Sequence, residues 1–317
     1  MECCSLEIPN FDIEKAKQYV WNYQVPFVQE FAQLLYLRDV NGMSISDPKF
    51  LAHQEKLIPQ LSYALDTWLE LNSHRIFVLS ESLSYFAYLG LNGTVIPQID
   101  DNIDEAFEKL PRDEHGFTSS GGKKMKCANT IFLAAALKLG FAKHPEMEEA
   151  CMEWLEHIEN NEGLCQIRTD GSQCAYVLVK TLNLLNLFPQ KWRTKRYKRV
   201  LQNIQEYLLS YDISQADFPR KASKPNENWM RFGFFRAFQA SIFEAAEALA
   251  VSGVKDHREL RETLQVIGDL CVDGVTWKAT YDRKSWPLKM EILKKVDTKG
   301  SPWLTLRGIR TAQALAK

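Results

Sequence analysis

Glu114-His115-Gly116-Phe117, with Cys127-Ala128 after it, is answered 47 residues later by Asn161-Glu162-Gly163-Leu164, with Cys174-Ala175 after it. The glycine and the cysteine share one offset, and that offset also lays Leu137 on Leu184 and Phe141 on Phe188. A second overlay, shifted by 111, sets Ile131-Phe132 on Ile242-Phe243, Ala134-Ala135 on Ala245-Ala246, and Gly163 on Gly274. The repeating unit reads as a helix, a short turn, a second helix and a glycine-containing loop, which is the pattern of stacked helical hairpins.

Working outward, the two helices of each hairpin differ in kind. Cys127 to Gly140 and Ser241 to Ala250 are small and apolar nearly all round, whereas Glu146 to Glu159 places Met147, Ala150, Cys151, Trp154, Leu155 and Ile158 at spacings of three and four. One helix is therefore expected to be buried and the other to lie outside with its charged face in water. Gly140 and Gly253 stand where the buried helices should end. His144-Pro145 and Lys255-Asp256 then open the outer helices. Upstream, Glu14 to Tyr19, Val25 to Asp39, Leu57 to Leu71 and Phe77 to Leu89 have helical spacing with weaker repeat identity, and Trp303 to Ala316 closes the series. Alternating strand patterns are missing throughout, which removes sheet-based enzyme folds. The expectation is one all-α domain over residues 1–317, about six hairpins, with the repeat clearest over 100–317 and residues 1–99 less regular. Such hairpins close into a ring or continue as an open solenoid.

Composition bounds the partners. With 317 residues, 45% hydrophobic and 25% charged, the chain has ordinary globular composition. Its apolar stretches fall short of the roughly 20 residues a membrane span needs. The first residues carry no basic and apolar leader, so a cytoplasmic location is expected. Seven cysteines, an odd number, favour reduced thiols. A formal net charge of -1 argues against nucleic acid. The basic run Lys191-Trp192-Arg193-Thr194-Lys195-Arg196-Tyr197-Lys198-Arg199 reads as the solvated start of a helix.

The loops Glu162-Gly163-Leu164-Cys165 and Asp273-Gly274-Val275-Thr276-Trp277 resemble degenerate Asp-Gly-x-Trp loops of the squalene-cyclase and protein-prenyltransferase repeats. The ending Gly300-Ser301-Pro302-Trp303-Leu304-Thr305-Leu306-Arg307 resembles the close of short proteins of the same terpenoid cyclase/protein prenyltransferase α/α-toroid superfamily. The resemblance runs from about Gly116 to Lys317 and implies a closed α/α toroid with a central cavity. It does not carry a reaction with it. The chain has no Asp-x-Asp-Asp acid of squalene-type cyclases, and Asp170 precedes Cys174 by four where the prenyltransferase zinc motif has two. There is also no Cys-His pair of the lanthionine cyclases.

Three constellations remain. Cys127 and Cys174 occupy equivalent places in successive repeats, with Cys165 in the loop before the second, and three thiolates with one open position suit a catalytic zinc. Asp170 or His115 would complete that shell. The competing reading is that such cysteines pack as small apolar residues. Asp100-Asp101-Asn102-Ile103-Asp104 has the spacing of a magnesium-diphosphate motif of class I terpene synthases, but it follows Pro97 and reads better as acidic residues at a helix start. Finally, Trp229, Phe232, Phe234, Phe235, Trp277, Trp286 and Trp303 are dense in rings, and the resemblance makes them candidate walls of a cavity for an apolar ligand. Arg231 and Arg307, with Arg168 and Arg236, are candidates to meet an anionic group such as a diphosphate. Asp170 and Arg231 are the candidate catalytic pair.

Three functional readings follow: a protein that binds an isoprenoid or other apolar ligand, acting as a cyclase-like or prenyltransferase-like enzyme; a zinc-thiolate enzyme using Cys127, Cys165 and Cys174; and a non-enzymatic scaffold for a peptide or protein partner.

Overall fold

The computed structural model describes residues 6–57, 76–110, 112–113, 116–117, 127–161, 174–218, 227–233, 239–280 and 300–317. Its α-helices are α1 Ile13–Trp21, α2 Pro26–Asp39, α3 Pro48–Glu55, α4 Ile76–Leu89, α5 Gln98–Lys109 and α6 Cys127–Lys138. There follow α7 Met147–Asn161, α8 Ala175–Asn186, α9 Lys195–Leu209, α10 Ile242–Val251, α11 Arg258–Asp269 and α12 Pro302–Leu315. The protein is thus mostly helical, as the repeat predicts. The expected helix from Leu57 to Leu71 lies outside the described residues after Leu57.

The hairpins α6–α7 and α10–α11 are present, each a buried helix packed on an amphipathic one, and buried α8 is likewise followed in the chain by amphipathic α9. In α7, every residue assigned to the apolar face, from Met147 to Ile158, is buried. Gly140 and Gly253 both adopt the left-handed conformation, with φ of 104° and 97°. Behind α10 the Gly253 N–H bonds to Ala250 O at 3.1 Å and the Val254 N–H to Leu249 O at 3.1 Å. These paired bonds satisfy carbonyls that the helix end leaves open, and they need a residue tolerant of positive φ between them. One helix escaped the sequence reading, α3. Its start is nevertheless written as Asp47-Pro48, with the Asp47 carboxylate accepting the Lys49 N–H at 2.8 Å and proline in the first turn.

Two glycine loops make small β pairings where the sequence suggested none. Arg112–Asp113 pairs antiparallel with Gly116–Phe117, and Val272 bridges to Thr276 across Asp273-Gly274. Among the described residues neither pairing is part of a wider sheet, and Gly116 and Gly274 take positive φ. The Asn129 side chain of α6 accepts the Phe117 N–H and donates to Phe117 O, which ties the first turn to its own buried helix.

The chain divides into two compact units, Met1–Met43 with Gln205–Lys317, and Ser44–Ile204. In the second unit α4 lies against α6 and α6 against α8. Small hydroxyl residues line these contacts: Ser80 Oγ donates to Ala128 O at 3.0 Å, Ser84 Oγ to Ile131 O at 3.4 Å, and Thr130 meets Thr181 at 3.4 Å. The outer faces are charged. Arg196 pairs with Glu156 and Glu159, Arg199 with Glu159, Lys191 with Glu148, and Arg112 with Glu146 and Glu153. The basic run is therefore a surface face that pairs with the acidic face of α7.

In the first unit α12 packs on α10, α1 and α2, and α10 packs on α11. The first residues are built into this unit. The Asp12 N–H bonds to Gly274 O at 2.8 Å, and Pro9 lies so close over Gly268 of α11 that any Cβ there would run into its carbonyl.

Candidate functional site

The sequence of α10, Ile-Phe-Glu-Ala-Ala-Glu-Ala-Leu-Ala-Val, places two carboxylates one turn apart on an otherwise apolar helix. Glu244 is 2% exposed and Glu247 8%. Ser241 caps the helix with Oγ accepting the Glu244 N–H at 3.2 Å. On the neighbouring α12, Arg307 and Arg310 are also one turn apart. Glu247 receives both: Arg307 Nε lies 2.7 Å from its Oε2 and Arg310 Nε 2.6 Å from its Oε1. Arg310 also reaches Asp39 at the end of α2, at 2.8 Å, and Asp39 holds Arg38 at 2.6 Å. The result is a chain of alternating charge, Arg307–Glu247–Arg310–Asp39–Arg38, joining three helices. Desolvating such groups costs several kcal/mol per ion, and only close pairing of this kind offsets it.

An aromatic layer stands in the same unit. Trp277 is fully buried and donates its Nε1–H to Ile267 O at 2.7 Å. Its ring lies 5.1 Å from Phe11 and 4.7 Å from Phe243, and Phe243 lies 5.5 Å from Phe232. Gly308 of α12 is required beside it, because a Cβ there would come within 2.7 Å of the indole and 3.1 Å of Phe11. Phe232 is pinned by its backbone, its N–H donating to Thr280 Oγ1 at 3.0 Å and its carbonyl accepting the Thr280 N–H at 2.8 Å.

The residues singled out from sequence fall as follows. Phe232 and Trp277 meet through Phe243 and fill the space between helices. Trp229 is buried in the turn Glu227–Met230, 4.6 Å from Phe218. Trp303 and Arg307 share α12, both buried. Arg231 is half exposed and pairs with Glu227 at 3.7 Å, the geometry of a surface ion pair. Cys127 is the first residue of α6, and Cys174 is the half-buried N-cap residue of α8. Asp170, Cys165, Phe234, Phe235 and Trp286 lie outside the described residues, as do His115, Arg168 and Arg236. Asp100 and Asp101 fall in the first turn of α5, as expected for acids at a helix start, although no side chain caps that helix. The carboxyl of Asp100 is raised above its ordinary value by burial and by the neighbouring Asp104 and Asp101.

Sequence reasoning passed over Glu244, Glu247, Arg310, Arg38 and Asp39. The signal for the first two was present, as charges interrupting an apolar run. Their partners are not recoverable from spacing, since Asp39 and Arg310 are brought together only by packing. Among the described residues, no helix is long and apolar enough to cross a membrane. Compared with protein-family models, with curated proteins and with solved structures, the chain matches none.

Proposed function

We propose that the hairpins form a single α/α toroid and that α10 and α12 present a wall to a ligand with an apolar, isoprenoid-like body and a polar end. The observation that carries this reading is the fork of Arg307 and Arg310 on Glu247. A wall built for packing alone has no need of three ionised groups, and well-packed apolar residues in their place are often neutral or more stable. Charges retained at such a cost cluster at functional sites. The packing of α12 on α1 and α2 supports the ring, because it joins the last helix to the first two. The aromatic layer of Trp277, Phe243 and Phe232 backs the wall and holds it rigid.

The test compares the native and denatured masses of freshly purified protein, with extraction of any bound apolar compound. A lipid-like mass of several hundred daltons is expected on the wild type and reduced in Arg310→Met. A native mass equal to the denatured one, with an extract no different from buffer, removes the reading and leaves the peptide or protein scaffold as the better account.

One observation favours a second reading. Cys127 and Cys174 open α6 and α8, two buried helices packed against each other. A zinc-thiolate centre completed by Cys165 would therefore draw on neighbouring helix starts. Stoichiometric zinc that disappears in Cys174→Ser is the result that would establish it; metal-free protein ends it.

A further inference from the structure

The N-terminus of α12 carries a buried hydroxyl with nothing to bond. Ser301 is the N-cap residue of this 14-residue helix, yet its side chain caps no amide. Ser301 is fully buried, and its Oγ has no hydrogen-bond partner. An N-cap serine ordinarily accepts the N–H of the second or third helical residue. Here Pro302 has no N–H, the Thr305 N–H closes on Ser301 O at 3.0 Å, and among the described residues no acceptor meets the Leu304 N–H. The hydroxyl therefore sits at the positive end of a helix beside an unsatisfied amide, where a buried polar group left unpaired costs about 1–3 kcal/mol.

Among the described residues, hydroxyl groups gather at this end of the helix. Thr276 Oγ1 lies 3.3 Å from Ser301 O, and Thr305 Oγ1 lies 2.9 Å from Thr276 Oγ1. The Tyr23 hydroxyl donates to Gly300 O at 3.4 Å. Tyr19 and Tyr23 are both half buried. Burial pushes the Tyr19 phenol up, which keeps it a proton donor at neutral pH. Gly300 takes φ of 141°, and a Cβ there would lie 2.8 Å from the Tyr19 hydroxyl and 2.6 Å from Thr276 Cγ2, so only glycine allows the chain past this cluster.

We infer that the N-terminus of α12 binds a small oxyanion of the phosphate class, held by the Ser301 hydroxyl, the Leu304 N–H and the helix dipole. Backbone amides at a helix start with an adjacent hydroxyl form a ready anion site. The inference stands whether or not an apolar ligand occupies the wall of α10 and α12, since it needs no apolar body.

The full chain is titrated with inorganic phosphate and with pyrophosphate at constant ionic strength, following the unfolding temperature and the 31P linewidth. Saturable stabilisation by either anion is expected, with binding about tenfold weaker in Ser301→Ala, which loses one charge-assisted hydrogen bond. Ser301→Asp places a carboxylate where the anion binds; it should unfold at a higher temperature than wild type without added anion and respond to neither. Pyrophosphate acting without phosphate would assign the site to the end of a larger phosphate ester, and both acting equally would assign it to the free ion. A wild type that responds to neither anion, meaning a site filled by water, overturns the inference, as does an equal response from wild type and both variants. Should Ser301→Asp not fold, the 31P comparison of wild type with Ser301→Ala decides alone.

Discussion

Glu159 and Glu247 do the same thing in two different places. Each is a helix carboxylate gripped by two arginines one turn or less apart, Arg196 and Arg199 for Glu159, Arg307 and Arg310 for Glu247. The Glu159 partners are 38% and 62% exposed, whereas those of Glu247 are 8% and 19% exposed. The first fork lies on the outside of an amphipathic helix pair, where water and salt screen it. The second lies between helices that are otherwise apolar, where water cannot replace a missing partner. The same chemical motif is therefore nearly optional in one unit and structural in the other, and the comparison separates what a charge pair is from where it stands.

The largest effect should come from Glu247→Ala. It removes the carboxylate that Arg307 and Arg310 share in the seam, leaving Arg310 its pair with Asp39, and should cost about 3–5 kcal/mol in denaturant unfolding, the range found when one partner of a buried pair is removed. A loss below about 1 kcal/mol would show that water reaches the seam and would erase the contrast with Glu159. Next comes Ser80→Ala in the other unit, whose hydroxyl bonds Ala128 O between α4 and α6. The expected cost is about 1 kcal/mol, one ordinary hydrogen bond. Matching the loss seen for Glu247→Ala would mean that hydroxyl seams and charged seams are equally committed.

Glu159→Gln should cost at most about 1 kcal/mol at low salt and close to nothing in 1 M salt, since its arginines are exposed. Its pH dependence sharpens the point. Hydrogen bonds from Arg199, and then Arg196, hold the Glu159 carboxyl below its ordinary value of 4.5. A carboxyl lowered in the folded state stabilises above its unfolded value and loses that contribution as pH falls through the folded one, so the wild type and Glu159→Gln should converge in acid. Asp100→Asn is the smallest and has the opposite sign. Asp100 is raised in the folded state, so folding gains as pH falls, and removing the charge should stabilise at neutral pH by about 0.3 kcal/mol, the scale of like-charge neighbours on a helix. A destabilised Asp100→Asn would show that the dipole at the start of α5 outweighs the crowding of acids there.

Much of the architecture was readable beforehand. The offset of Gly116 with Gly163 and Cys127 with Cys174 placed α6 and α8 in equivalent positions, and the apolar stripe of α7 came out residue by residue. Gly140 and Gly253 marked helix ends because only a residue at ease with positive φ closes those turns. The candidate site was legible only in part. Trp277 and Phe232 read in the sequence as candidate cavity walls, and in the fold both are buried beside Phe243. Arg307 reads in the sequence as a candidate to meet an anionic group, and in the fold it pairs with Glu247.

The division has a physical cause. Periodicity, caps and turn residues are local, set by contacts within about four residues, so the sequence by itself determined the hairpins, their buried and outer members and their turns. Side-chain partners across the fold, Asp39 with Arg310, Pro9 over Gly268 and Trp277 against Gly308, join residues far apart in the chain. No spacing rule relates them, because their distance exists only once helices have packed. Tertiary structure alone decided that the charges of α10 and α12 meet inside the protein while those of α7 and α9 meet in water.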